Sequence, residues 1–468
     1  MPESANSGRP IACGCGQAFL LKKNLTGVPT GEAEEELDGL LRGAVARHCP
    51  AGGLTGIFLS GGVDSSLVAA LAASRQSALR GFALGFAEQT HDERPFATRA
   101  AEICGLPLEF VLASEAALPA QVMDMVRHYG EPFADSSALA AWQVAELAAT
   151  RVRVCLSGDG GDDLFGGYAR YLDPFLYPPE KNNPLNTNDP VRAQLARELA
   201  DCGRTDRLPL LGVAQARYYA HWACLYGERK SALCGEALRS AANPRSSLLF
   251  FLERLARDPS RHLLSAIMDF ERELYLASTL TVKTDVAAMA FSLEVRAPML
   301  DAELADFALS LPVGMKVRRL RGPEHGSLRL GYEPKWLLKK VARRYFSRKF
   351  VYRRKQGFGV PLGLWLRGPL RELACDTLLS SRCAERGWIE SGMLRRLVNE
   401  HMDGAQNCGP CSCWSCGQGS AWTRLERRES RVHPVDCAGS RTTVYTRPLL
   451  LGSLLSDAEK QQRPASCL

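Results

Sequence analysis

The sequence predicts an α/β protein whose doubly wound parallel sheet is followed by a mainly α-helical lobe. Short apolar segments alternate with helical segments from residue 54 onward, which is typical of a parallel sheet with helices on both faces. The first apolar segment runs into a glycine-rich loop that opens a helix. From about residue 190 the strand signals vanish and helical spacing takes over.

The elements follow one another in a regular βα rhythm. Strands are predicted at residues 54–59, 79–86, 108–112 and 152–156. Helices are predicted at residues 32–48, 67–73, 94–103, 116–128 and 138–149. In the second part, helices are predicted at residues 191–201, 246–256, 263–276 and 336–346. A Pro- and Asn-rich segment at residues 178–190 predicts an exposed insertion between the two parts.

The composition is that of a soluble globular protein, with 468 residues, 46% hydrophobic and 23% charged. We expect no membrane span, because no run of about 18 apolar residues is present. The first ten residues lack a basic start followed by an apolar stretch, so a cytoplasmic location is expected. Most of the 16 cysteines are scattered, which is typical of reduced core residues in a cytosolic chain.

The net charge of +7 is unevenly distributed. Residues 316–355 hold 15 Lys or Arg against Glu324 and Glu333, which gives this segment +13 and leaves −6 for the rest of the chain. Two interpretations stay open, a solvated basic face and a positive surface for polyphosphate. Nucleic-acid binding is a weaker third interpretation, because few aromatic residues interleave for base stacking.

The first glycine-rich loop spans residues 59–66. It follows an apolar strand and opens a helix, an arrangement in which backbone N–H groups and the helix dipole bind an anion. It lacks the Gly-Lys-Ser/Thr ending of kinase-type phosphate loops, so release of pyrophosphate from ATP fits better than transfer of the γ-phosphate. The predicted binding residues are Ser60, Gly61, Gly62, Asp64, Ser65 and Ser66.

The second glycine-rich loop, residues 156–168, closes the fourth predicted strand. Glycines alternate there with three acids, so the loop can present carboxylates to a hard cation. Mg²⁺ prefers one or two carboxylates together with phosphate oxygens. Asp64 and Asp162 are the predicted pair, which would bridge the metal to pyrophosphate. A plain acidic turn is the alternative, but a position after a parallel strand favours the ligand crevice.

Both loops resemble those of the synthetase domain of asparagine synthetases, within the wider superfamily of pyrophosphate-loop ATPases with an adenine nucleotide α-hydrolase-like fold. The resemblance covers roughly residues 30–404 in the right order. Matching segments include 82–86, 92–93, 131–137, 283–285, 292–301 and 353–362. Several separated motifs in register make this a specific match.

The resemblance implies a two-step reaction with ATP and Mg²⁺. A substrate carboxylate, most readily that of aspartate, attacks the α-phosphorus of ATP, and ammonia then displaces AMP from the acyl-adenylate. Lys355 matches the family's catalytic lysine, and Asp159 matches an acid near the incoming amine. The positions that correspond to those lining the nucleotide are Leu59, Ser60, Gly85, Ser157 and Gly158.

The chain departs from the family in three places. Only about 50 residues precede the first loop, too few for the usual glutaminase domain. Free ammonia, a separate glutaminase subunit and an incomplete product therefore stay open. Val286 and Ala288 stand in the segment where the family usually has Arg and Ser. The resemblance therefore supports adenylation of a carboxylate more strongly than it supports aspartate as the substrate. The family pattern also stops near Gly404.

A cysteine-rich segment, residues 408–416, follows the end of that pattern. Its Cys-x2-Cys-x-Cys-x2-Cys spacing is too tight for an ordinary two-knuckle zinc site. We hypothesise a shifted reading frame from about residue 405, which an uninterrupted frame in the gene would contradict. The alternative is a metal knuckle in which the four cysteine thiolates hold one zinc ion. The expected division of the chain is a leader (1–31), a nucleotide-binding α/β core (32–177), a mainly helical part (178–404) and an irregular tail (405–468).

Three other functions are alternatives to an amide ligase of the asparagine synthetase type. The first is a same-family amidation or ring-closing ligase that acts on another carboxylate. The second is a remnant that binds nucleotide without chemistry, against which the presence of Asp64, Asp162 and Lys355 speaks. The third, a tRNA-modifying relative, shares only the first loop.

Overall fold

The computed structural model describes residues 28–89, 91–131, 133–172, 189–223, 226–241, 247–258, 261–320, 331–353 and 359–404. Within these ranges, a five-stranded parallel sheet has the strand order β3-β2-β1-β4-β5. The strands are β1 (Thr55–Phe58), β2 (Leu79–Gly85), β3 (Leu108–Leu112), β4 (Val154–Leu156) and β5 (Glu294–Arg296). The predicted parallel sheet is confirmed, and its first four strands lie within two residues of their predicted bounds.

Helices connect the strands and pack on the sheet. Those of the first part are α1 (Thr30–His48), α2 (Val63–Ala73), α3 (Arg94–Cys104), α4 (Leu118–Tyr129), α5 (Ala138–Ala149) and the short α6 (Gly161–Phe165). Helices α3 and α4 each carry proline in their first turn and end at a glycine in the left-handed conformation, the usual start and stop signals. These signals explain why the sequence predicts both helices closely.

The second part is mainly helical, as predicted. Its helices up to the last sheet strand are α7 (Pro190–Asp201), α8 (Val213–Ala223), α9 (Gly227–Leu233), α10 (Glu236–Ala241), α11 (Ser247–Leu255), α12 (Leu263–Glu271) and α13 (Thr281–Met289). Those that follow it are α14 (Ala302–Ser310), α15 (Val313–Lys316), α16 (Trp336–Ala342), α17 (Arg348–Val351), α18 (Leu362–Arg367), α19 (Arg371–Leu378), α20 (Ser381–Glu385) and α21 (Ser391–Met402).

Two features of the second part were not predicted. Strands do occur after residue 190: β5 pairs in parallel with β4, and β6 (Val317–Arg319) pairs antiparallel with β7 (Tyr332–Pro334). Each has three residues and contains at least one charged residue, so no apolar run marks it in the sequence. The helix expected at residues 263–276 is α12 followed by a π-helical segment, Arg272–Leu280. Most of the predicted insertion at residues 178–190 lies outside the described residues.

The core is divided between the sheet and the helices around it. One apolar cluster joins α1, α2, α14 and α16 on one side of β1, and a second joins α4, α5 and the C-terminal helices α18 to α21. A third cluster holds the helical lobe of α7, α8, α11 and α12 together. This packing leaves the carboxyl ends of β1 and β4 to the loops that follow them.

A buried charge network connects the helical lobe to the second glycine-rich loop. Glu271, with no exposed surface, accepts hydrogen bonds from both ends of the Arg170 guanidinium and from the hydroxyls of Tyr171 and Tyr218. Arg170 also lies over the Tyr168 ring, with its Cζ 4.0 Å from the ring centroid. The carboxylate is therefore fully compensated inside the protein, as a buried charge must be.

Replacing Glu271 by Ala is expected to lower the free energy of unfolding by about 3–5 kcal/mol, because Arg170 would stay buried without its counter-ion. Chemical denaturation monitored by circular dichroism measures this loss. Glu273→Ala is the matched control: Glu273 is exposed and pairs with Arg254 at 2.6 Å, so its loss should cost less than about 1 kcal/mol. Equal destabilisation by the two variants would contradict the assignment.

Candidate functional site

The two glycine-rich loops meet at the carboxyl edge of the sheet. The first loop follows β1, the second follows β4, and these strands are parallel neighbours. The strand order reverses between them, and such a reversal opens the crevice in which doubly wound folds bind ligands. A Cβ built on Gly158 would lie 2.6 Å from the Ser65 amide nitrogen, and one on Gly161 would lie 2.5 Å from Asp64 Oδ1. The loops are therefore in direct contact: a side chain at position 158 would collide with the backbone of the first loop, and one at position 161 would displace the Asp64 carboxylate.

The first loop is held by its own serine hydroxyls. Gly61 has a φ of +71°, a conformation that favours glycine. The Gly62 amide donates to Ser60 Oγ at 3.2 Å, and Ser60 Oγ lies 3.1 Å from Ser65 Oγ. Helix α2 begins directly after Gly62, and the amides in the first turn of a helix have no partners inside it. The buried Ser66 Oγ has no hydrogen-bond partner in the described part of the chain.

The positions that correspond to nucleotide-lining positions of the family differ in their surroundings. Leu59 is 1% exposed and packs in the core, so only its backbone can face a ligand. Gly85 ends β2, and the Arg94 side chain lies against it: a Cβ on Gly85 would be 2.5 Å from Arg94 Cδ. Arg94 in turn donates to Asp92 Oδ1 at 2.8 Å. Arg94 is thus a cation at this edge that motif comparison did not single out.

Asp159 is fixed by two hydroxyl groups. Its Oδ2 accepts from Ser157 Oγ and from Thr284 Oγ1, each at 3.1 Å. Thr284 lies on α13, directly after the π-helical segment, and π-helical turns often occur at functional sites. The structure therefore brings the second loop and the segment 283–285 together, although about 125 residues separate them in sequence.

A buried ion pair joins two further motifs to the same region. The Lys283 ammonium donates to Ser137 Oγ at 2.8 Å and to Asp135 Oδ2 at 3.3 Å. Burial alone would raise the pKa of Asp135, but Lys283 and the hydrogen bonds from Ser137 hold it below its ordinary value. Tyr129 donates from its hydroxyl to the Lys283 carbonyl at 2.8 Å, which fixes α4 against α13.

Lys335 is a further site residue that the sequence does not single out. Its ammonium lies between the two predicted metal ligands, 2.5 Å from Asp64 Oδ2 and 2.7 Å from Asp162 Oδ1. Burial by itself would lower the pKa of Lys335, but the two carboxylates raise it above its ordinary value, so the lysine is charged at neutral pH. Its backbone has a φ of +56°, an uncommon conformation for lysine. The only sign of this residue in the sequence is the basic segment 316–355, and its 15 Lys and Arg residues do not distinguish Lys335 from the others.

The donor set fits Mg²⁺ accompanied by phosphate. Asp64 and Asp162 approach the same point, and the buried Asp64 Oδ1 has no hydrogen-bond partner in the described ranges. Across those ranges, no group of three or more His, Cys, Asp or Glu could hold a metal. Two carboxylates with the remaining ligands from phosphate and water match the preference of Mg²⁺. The carboxylates would hold the ion, and the ion would neutralise charge on pyrophosphate.

Several predicted features lie elsewhere or outside the described residues. Lys355 and the cysteine-rich segment 408–416 are outside them, and their assigned roles stay predictions. Val286 is partly buried beside the cluster of α4 and α5, and Ala288 is fully buried in the cluster around Phe82. Both side chains therefore belong to the packing of α13.

None of the helices in the described part of the chain combines the length and the apolar character that crossing a bilayer requires.

Comparison with known proteins gives a consistent result. The sequence profile named asparagine synthase matches residues 36–424, so the match extends past Gly404, near which the motif resemblance ends. The chain is 28% identical over 379 residues to a putative glutamine-hydrolysing asparagine synthetase of Mycobacterium tuberculosis, covering 80% of this chain and 55% of that protein. It is 26% identical over 385 residues to glutamine-hydrolysing asparagine synthetase 1 of Bacillus subtilis, covering 81% and 58%.

A more distant relative carries a different name. The amidase chry2 of Gibberella zeae is 22% identical over 386 residues, covering 75% of this chain and 55% of that protein. The chain thus spans about half the length of these curated relatives. The family profile covers well over half of the chain and includes both glycine-rich loops and the segment that carries Lys335. The chain therefore belongs to the asparagine synthase family.

Proposed function

We propose that this protein is an ATP-dependent amide ligase that activates a carboxylate as its adenylate and then amidates it. One observation carries the proposal: Asp64 and Asp162 converge from two loops beside an anion-binding loop that lacks the lysine of kinase-type phosphate loops. Such a site holds the β- and γ-phosphates as a leaving group.

In the first step, a carboxylate oxygen of the substrate attacks the α-phosphorus of ATP. The bond from the α-phosphorus to the bridging oxygen breaks, and pyrophosphate leaves with the electron pair. The Ser60 and Ser65 hydroxyls and the amides at the start of α2 would hold the pyrophosphate, and the Lys335 ammonium would balance its growing charge. Fixed donors and cations of this kind act strongly because they need no reorganisation when charge develops.

In the second step, ammonia attacks the carbonyl carbon of the acyl-adenylate. The C–O bond to the phosphate breaks, AMP leaves, and the nitrogen loses a proton. We assign to Asp159 the role of receiving that proton, because Ser157 and Thr284 hold its carboxylate in place at the loop edge. Water must stay out of this site, since it would hydrolyse the adenylate.

Aspartate is the proposed substrate and asparagine the proposed product, with free ammonia or a separate glutaminase subunit as the nitrogen source. The second candidate is a ligase of the same family that acts on a different carboxylate. The packing of Val286 and Ala288 favours this candidate, because neither side chain supplies a charge to recognise a second substrate carboxylate. Similarity to the amidase chry2 is compatible with it.

Substrate-dependent exchange between ATP and labelled pyrophosphate, measured with purified protein, tests the proposal. We expect exchange with aspartate, and formation of asparagine from ammonium. Exchange with another carboxylate, and not with aspartate, would support the second candidate. No exchange with any carboxylate would contradict adenylation and leave a nucleotide-binding remnant.

Replacing Lys355 by Ala is expected to stop turnover while ATP binding is largely retained, because Lys355 matches a family lysine that contacts phosphate and the charged intermediate, and that charge develops only during the reaction. Calorimetric titration with ATP and the exchange assay separate these effects. If ATP binding were lost together with activity, Lys355 would contribute to binding of ATP itself. If turnover were unchanged, Lys355 would not be a catalytic residue.

A further inference from the structure

An arginine far along the chain contacts the backbone of the first glycine-rich loop. Arg353, which follows α17, donates from Nη2 to the Gly61 carbonyl oxygen at 2.8 Å, across a separation of 292 residues. Burial lowers the pKa of Arg353, and the nearby Glu93 opposes that effect. The guanidinium is still charged at any physiological pH, so this is a charge-assisted hydrogen bond to a main-chain oxygen.

The Arg353 guanidinium also lies over an aromatic ring of α3. Its Cζ lies 3.9 Å from the centroid of the Phe96 ring, a cation–π contact. Phe96 in turn touches the loop through its backbone: a Cβ built on Gly61 would lie 2.4 Å from Phe96 C and 2.5 Å from Phe96 O. Arg353, Phe96 and Gly61 thus form one contact group beside the loop.

The contact fixes a peptide plane that matters for anion binding. In a trans peptide the carbonyl and the following N–H point in opposite directions. The Gly61 carbonyl points to Arg353, and the Gly62 N–H therefore points the other way, to Ser60 Oγ at 3.2 Å. Glycine at both positions allows this plane to rotate easily. A rotated plane would present the carbonyl oxygen to the phosphates and repel them.

We infer that Arg353 is a positioning residue, which holds the peptide between Gly61 and Gly62 in the orientation that accepts an anion. Phe96 is the platform that keeps the guanidinium in place. The inference depends on the proposed function only in taking the anion to be the pyrophosphate part of ATP. It predicts that loss of Arg353 weakens anion binding although Arg353 itself does not touch the anion.

Calorimetric binding of inorganic pyrophosphate and of ATP to the full chain tests this inference. Arg353→Ala is expected to raise both Kd values about tenfold, in line with the loss of a charge-assisted hydrogen bond. Phe96→Leu, which keeps every charge, should raise them severalfold. The double variant should bind no more weakly than Arg353→Ala alone, because the two residues act through one contact.

Two further variants separate positioning from charge. Arg353→Lys keeps the charge but loses the planar fork that can bond and stack at once, so its affinity should stay near that of Arg353→Ala. Arg254→Ala is the matched control in the helical lobe, where Arg254 lies over Phe250 at 5.2 Å and pairs with Glu273. It should bind as the wild type does. Thermal melts of all variants show whether each is folded.

Each outcome decides the inference. Wild-type affinity in Arg353→Ala, full recovery in Arg353→Lys, or additive losses in the double variant would overturn it. If the wild type binds pyrophosphate but no carboxylate supports exchange, the proposed function fails while the binding series still decides the role of Arg353. If the wild type binds neither pyrophosphate nor ATP, both are wrong.

Discussion

Replacing Asp162 by Asn is expected to reduce ATP–pyrophosphate exchange by about a thousandfold or more. The variant keeps the size of the side chain but removes one of the two carboxylates that converge at the loop edge. An amide oxygen carries no full charge, so the pair could no longer hold Mg²⁺ against pyrophosphate. The same change also leaves Lys335 with a single counter-ion inside the protein.

The adjacent residue provides the control for this experiment. Asp163 is fully buried and accepts a hydrogen bond from the Tyr168 hydroxyl at 3.2 Å. Among the described residues, the ion pairs of Lys335 are with Asp64 and Asp162 and not with Asp163. Burial raises the pKa of Asp163 to about 7, and Glu271 and Asp162 add to that effect, so a neutral side chain is already populated at neutral pH. Asp163→Asn should therefore lose much less exchange than Asp162→Asn. Normal exchange in Asp162→Asn would remove Asp162 from the metal site.

The first half of the fold could be predicted because its local signals agree. Apolar strands of three to seven residues, the proline-started helices α3 and α4 and the glycine-rich loops all indicate the same βα order. Strand β5 could not be predicted, since Glu294-Val295-Arg296 has no apolar pattern and becomes a strand by pairing with β4. Tertiary contact decides its conformation, and sequence patterns report only local preference.

The site divides in the same way. The loops that supply Asp64, Asp159 and Asp162 are visible in the sequence, because glycines and acids follow apolar strands there. Lys335 is not visible, because what distinguishes it is a contact with Asp64 across 271 residues. Arg353 belongs to the same class, since it touches the first loop from 292 residues away. A count of basic residues locates the segment 316–355, but only the fold shows that Lys335 and Arg353 are the residues that contact the first loop.

Replacing Lys335 by Met is expected to have opposite effects on metal binding and on catalysis. Without nucleotide, the ammonium neutralises one of the two carboxylate charges, and its removal leaves Asp64 and Asp162 facing each other unneutralised. The variant should therefore bind free Mn²⁺, used as a spectroscopic substitute for Mg²⁺, at least about tenfold more tightly, a factor that corresponds to ~1.4 kcal/mol. Exchange should nevertheless fall by about a hundredfold or more, because the leaving pyrophosphate loses a fixed cation.

Electron paramagnetic resonance titration of Mn²⁺ in the absence of ATP measures the first effect, and the exchange assay measures the second. Lys339→Met is the matched control, since Lys339 is a mostly buried lysine in α16, the helix that begins directly after Lys335, and it pairs with Glu333 at 3.6 Å rather than with either aspartate. If removal of positive charge at a distance were sufficient, both variants would bind Mn²⁺ equally well. If direct contact with the two aspartates is what matters, only Lys335→Met gains affinity for Mn²⁺. That result would show that the ammonium and the metal compete for the same two carboxylates. An unchanged Mn²⁺ affinity in a folded Lys335→Met protein would show that the carboxylates do not form a metal site without phosphate.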